Sequence, residues 1–176
     1  MLVSLMFLLA PWLGFRLLGL LGLTRFATWR ISAAHALAVM LVLTGSAHFV
    51  PDTVTVMPSH ADLTAMVPPF VPFPDLMVYA TGVLELLGAL GLVVTATRSA
   101  AGVCLALLFV VLVPANVYAA IEGVPLNGDP ATPLWLRIPE QIVYITIALW
   151  ATRPVGTTED HRAVTPPLWP SQTSGE

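Results

Sequence analysis

The sequence contains no lysine and only one cysteine, Cys104, which sits inside an apolar run. A lone thiol excludes an intramolecular disulfide and a paired-cysteine redox motif, so any thiol chemistry must belong to a partner. All seven cations are arginine and they are scattered, so the clustered basic footprint of a nucleic-acid binder is missing. No His, Cys and Asp spacing matches a metal pattern, and no internal repeat is apparent.

Charge of either sign is scarce: charged residues make up 10% of the chain and the formal net charge is −3. Hydrophobic residues make up 57% and the mean hydropathy is +0.85, which excludes an ordinary soluble domain and indicates an all-α polytopic membrane protein. Apolar segments at about 2–23, 30–50, 75–96, 99–121 and 134–152 each approach the ~20 residues that span ~30 Å of hydrocarbon, predicting five transmembrane helices. A signal peptide is the alternative for the first. However, no basic residue precedes its apolar run, no clear cleavage site follows, and Arg16 interrupts it, so a retained helix is expected.

Arg25, Arg30, Arg98, Arg153 and Arg162 fall on one side of these spans, whereas the loops 51–74 and 122–133 carry acidic residues and no arginine. The positive-inside rule then predicts a multi-pass protein of the inner or plasma membrane, with its N-terminus outside and its C-terminus in the cytoplasm. Trp29 and Trp150 fall at the inner edge and Trp135 at the outer. From residue 153 the composition turns to Pro, Ser, Thr and charge, as in a disordered tail.

Polar residues were placed by depth along these spans. Helical rise puts the Glu85 carboxylate about 15 Å below the outer surface, where an ionised group is costly unless paired or hydrated. Thr81, Gly82, Gly88 and Ala89 make its helix face small and polar, which allows a neighbour close. The same rise puts His48, with Thr44 one turn below it, a few Å beneath the outer surface. His35 points to another face in the inner half, so the two histidines are not expected to share a metal.

In the fourth span Pro114 frees the Val110 carbonyl and is expected to kink the helix, with Asn116 near its outer end. In the fifth, Pro139 suits a first turn, and Arg137, Gln141 and Tyr144 form one stripe with Glu140 beside it. Each of these residues also has a structural reading, as helix–helix hydrogen bonding or an Arg137–Glu140 pair. Their coincidence in the outer half of several spans predicts an outward-facing polar pocket. Glu85 is its candidate catalytic acid or base, and His48, Asn116, Arg137, Glu140, Gln141 and Tyr144 are candidate ligand contacts.

The outer loop carries Ser59-x-x-Asp62, which resembles a capping box, and then Met66-Val67-Pro68-Pro69-Phe70-Val71-Pro72-Phe73-Pro74. Four prolines in nine residues predict an extended, polyproline-like strap. It is a candidate lid formed by Met66, Pro68, Pro69, Phe70 and Phe73, with the two phenylalanines dipping into the outer leaflet or capping the pocket. A rigid linker is the alternative.

The succession Gly45…His48-Phe49…Pro51, Met66-Val67-Pro68-Pro69, Gly82…Glu85…Gly88, Pro114-Ala115-Asn116 and Arg137…Pro139…Gln141 resembles the DoxX-like family of small bacterial membrane proteins over about residues 31–151. The resemblance implies a four-helix transmembrane bundle at 24–152, to which residues 1–23 add one N-terminal helix. It also implies an association with membrane redox assemblies and soluble redox partners. The chain has no thiol pair, so quinone binding or scaffolding would be its routes to that chemistry. No cofactor can be demonstrated from the sequence, and a quinone is the one the resemblance suggests.

Three functions compete: a quinone- or lipid-binding subunit of a redox assembly; an integral-membrane isomerase or cyclase using Glu85 as acid or base; and a non-catalytic anchor for soluble partners. Transport between the subunits of a homo-oligomer is a weaker fourth.

Overall fold

In the structure, a computed structural model, residues 2–153 are described, with side chains from Leu5 onward. The expected tail therefore lies outside the described residues from position 154. The described chain is helical: α1 (Leu2–Leu20), a 3-10 turn (Thr24–Phe26), α2 (Trp29–Ala47), α3 (His60–Ala65), α4 (Pro74–Val93), α5 (Arg98–Glu122) and α6 (Leu134–Thr152). Of these, α2, α4 and α5 are long and apolar enough to cross a membrane. α1 is apolar over Leu5–Leu20. In α6, Arg137, Glu140 and Gln141 crowd the first two turns and dilute its hydropathy.

The long helices begin and end for local reasons. Thr28 caps α2 by accepting from the Ile31 amide, and Pro74 opens α4, where a missing N–H costs nothing. α5 ends at Gly123, whose φ of 66° is the left-handed closure that glycine adopts freely. α5 runs unbroken through Pro114, and α6 through Pro139. Because α6 starts at Leu134, Pro139 lies beyond the first turn expected for it. The carbonyl it leaves free belongs to Trp135, at the exposed end of the helix.

α2 is the helix most enclosed by the others, packing against α1, α4 and α6, while α5 packs against α4 and α6. The first half of α2 is buried all round and rich in small residues, Ser32, Ala33, Ala34, Ala36 and Ala38, so neighbouring backbones approach closely. The core centres on Leu37, Met40, Leu41, Leu92, Leu105 and Ala148.

One end of the molecule gathers arginines. Arg30 reaches the carbonyls of Trp150 and Arg153, and Arg25 that of Val93. The opposite end carries the long connections 48–73 and 123–133.

The strap differs from the extended form expected. A turn at Pro68–Val71, closed by the Val71 amide donating to the Pro68 carbonyl at 2.9 Å, is followed by Phe73 in the left-handed region at φ 54°. Proline fixes φ but leaves ψ open, and the chain must reverse here to feed Pro74 into α4. Phe70 and Phe73 are 78% and 73% exposed, so neither caps a pocket, whereas Met66 and Pro68 are buried.

Candidate functional site

The expected pocket residues fall into two sets of contacts. The first joins α2 to α4. Gly82 lets the helices meet there, since a Cβ at this position would lie 2.5 Å from His48 Cβ. Gly45 likewise faces Glu85 Cβ, at 3.2 Å from where its own Cβ would stand. The approach seats His48 Nε2 3.5 Å from Glu85 Oε1, while the Thr44 hydroxyl donates to Glu85 Oε2 at 2.7 Å. Glu85 is 5% exposed and His48 is also buried.

His48 Nδ1 lies 2.7 Å from the Val78 carbonyl, which can only accept, so Nδ1 carries a hydrogen. Thr81 Oγ1 stands 3.3 Å from the same nitrogen. Nε2 and Oε1, 3.5 Å apart, are close enough to share a proton if one is present.

His48 is level with Gly82, eight residues into α4 and about 12 Å from Pro74 by helical rise. α2 ends at Ala47, short of the expected residue 50, and the following chain lies against the first turns of α4. Phe49 packs on Tyr79 at 5.8 Å, His60 stacks on the same ring at 4.0 Å, and His60 Nε2 lies 3.2 Å from Asp75 Oδ1. The capping box of α3 is complete, with Ser59 Oγ accepting from the Asp62 amide and Asp62 accepting from the Ser59 amide.

The second set belongs to α5 and α6. Tyr144 donates to Glu140 Oε1 at 2.7 Å, and Arg137 Nη1 stands 3.8 Å from Glu140 Oε2, so the 3% exposed Glu140 is paired on both oxygens. Gln141 is buried with its amide oxygen lacking a partner. Asn116 and Arg137 line a cavity of about 10 Å³ under Met66, with Ala119, Leu126 and Thr132. That volume admits about one water, so the cavity these residues line is narrow.

Two contributors were not named as site residues from the sequence. Thr44, noted only as lying below His48, bonds Glu85 directly, and its i, i−4 spacing from His48 was the available signal. His60, read as a plain loop residue, donates from Nδ1 to the His48 carbonyl at 2.8 Å, and no local pattern announces that contact. His35 is buried between the Phe15 and Phe26 rings with Nδ1 on the Ile31 carbonyl, apart from the His48 set as expected. No metal-binding group of His, Cys, Asp and Glu occurs among the described residues.

The chain belongs to the family described as Domain of unknown function (DUF8561), whose model matches residues 37–152. No curated protein and no solved structure matches it.

Proposed function

For this member of the family we propose a membrane subunit that binds a lipophilic carrier with a carbonyl or hydroxyl head, such as a quinone, and exchanges a proton with it. The observation that carries this reading is the buried His48–Glu85 pair, 3.5 Å apart and halfway along a helix able to cross a bilayer.

α2, α4, α5 and α6 would form the four-helix transmembrane bundle, each packed against two of the others, with α1 added outside it. The family match supports this division, because it starts within α2 and leaves α1 out. The arginine-rich end would face the cytoplasm and the two long connections the outside. The link to a redox assembly and its soluble partners rests on the resemblance to DoxX-like proteins alone.

The hydrogen-bonding groups suit such a head. Gln141 has a buried acceptor without a donor, and Asn116 and Arg137 line the cavity. The present volume does not suit a ring, so entry requires Met66 and Pro68 to move. A bound quinone would supply the redox chemistry. The protein's part is to orient the head, to exclude water, and to hold or release a proton at Glu85 Oε1.

The test is extraction of wild type and Glu85→Gln in mild detergent, followed by mass spectrometry of copurifying small molecules. A quinone or isoprenoid retained by wild type and lost from the variant is the expected result. If both carry only bulk phospholipid, the reading fails.

A further inference from the structure

The arginine-rich end, far from the His48–Glu85 pair, carries a feature that the proposed function does not use. Two guanidiniums converge on the end of α4: Arg98 donates from Nε to the Leu92 carbonyl at 2.8 Å and from Nη2 to the Val93 carbonyl at 3.2 Å. Arg25 Nη2 donates to the same Val93 carbonyl at 3.4 Å. These bonds close the helix terminus, yet they use few of the five N–H donors that each guanidinium carries. The ion pairs among the described residues lie elsewhere, at His48–Glu85, His60–Asp75 and Arg137–Glu140. Among the described residues, the two cations therefore share a terminus with no carboxylate in ion-pair reach.

An apolar groove of about 500 Å³ opens at the same place, between α4 and α5. Its walls are leucines such as Leu84, Leu87 and Leu90, Gly88 and Gly91 let α4 close on Leu105 and Ala101 of α5 at its floor, and Thr97, which precedes Arg98, also lines it. From Leu84 to Val94 it runs about 15 Å by helical rise, half of the ~30 Å hydrocarbon thickness. A chain lying in it would cross one leaflet and end at the arginines.

We propose that this groove binds an anionic phospholipid, with one acyl chain between α4 and α5 and the phosphate over Arg25 and Arg98. Charge complementarity selects the lipid: guanidinium forks match phosphate oxygens, and a zwitterionic headgroup offers no net charge to offset the paired cations. The proposal rests on α4 and α5 spanning a bilayer and is independent of the quinone reading.

The test is native mass spectrometry of the full chain in neutral detergent, titrated with phosphatidylglycerol or with phosphatidylcholine of the same acyl chains. The variants are Arg25→Gln/Arg98→Gln and Leu87→Trp, which fills the groove without touching the α4 terminus. Expected are a preference for phosphatidylglycerol, a loss of about 30-fold in the double variant from two headgroup charges, and loss of retention in Leu87→Trp. Equal retention of both lipids overturns the proposal, as does unchanged retention in Leu87→Trp. Glycerophosphoglycerol that competes as well as the intact lipid overturns the acyl-chain half. Carbonate-resistant flotation with neutral vesicles checks the membrane premise separately. If the chain floats but shows no lipid preference, only this proposal falls, and if it does not float, both fall.

Discussion

Gly82→Ala adds one methyl group where α2 and α4 meet. The new Cβ would stand 2.5 Å from His48 Cβ and 2.8 Å from His48 Cγ. Ordinary carbon contacts lie near 3.5–4.0 Å, so the helices must part by roughly 1 Å. Neither neighbouring atom is the free end of a flexible side chain, so the strain cannot be relieved by a rotamer change. Overpacking of this kind costs about 1–3 kcal/mol, against which alanine's better helix propensity returns about 1 kcal/mol.

Gly14→Ala isolates that second effect, because nothing lies within 4 Å of a Cβ there. It should stabilise by up to ~1 kcal/mol, leaving the two variants about 1–3 kcal/mol apart. Reversible unfolding in mixed micelles, followed by far-ultraviolet circular dichroism, measures the difference. Equal stability of the two alanine variants would refute the argument that Gly82 is held small by His48.

Further outcomes follow from single contacts. Thr44→Val keeps the shape but removes the donor to Glu85 Oε2, and should destabilise by about 1–2 kcal/mol in the same unfolding assay. Thr44→Ser should retain most of that stability. Ser59→Ala removes the hydroxyl half of the α3 capping box and leaves the backbone half, so amide exchange across His60–Ala65 should quicken by the equivalent of ~1 kcal/mol while global unfolding stays put. Cys104 is exposed on α5 yet faces hydrocarbon if that helix spans the bilayer. A membrane-impermeant maleimide should leave it unmodified in vesicles and label it after unfolding, whereas labelling of the intact protein in vesicles would place this face in water.

Hydropathy made the long helices legible because each is a run of apolar residues bounded by punctuation. The segment at 134–152 coincides with α6, where Pro133 precedes the first turn and Arg153 follows the last. Neighbours across helices were not legible: that His48 stands level with Gly82 depends on how far α4 projects beyond the end of α2, which Phe49 and His60 set by packing on Tyr79. The turn inside the strap was hidden for a related reason: proline restricts its own φ and its predecessor, while the reversal is decided by where α4 must begin. The small cavity under Met66 is likewise a property of three elements meeting, which no single stretch encodes.

The hydrogen bond from His48 Nδ1 to the Val78 carbonyl has a consequence for traffic through the site. A histidine passes protons along a wire only by taking one at the first nitrogen and giving one up at the second, and here the second is tied to helix backbone. On the proposed reading, a proton handed from Glu85 to His48 Nε2 therefore returns to Glu85 while Nδ1 stays on the Val78 carbonyl, so that His48 would hold a proton for a bound molecule rather than relay it.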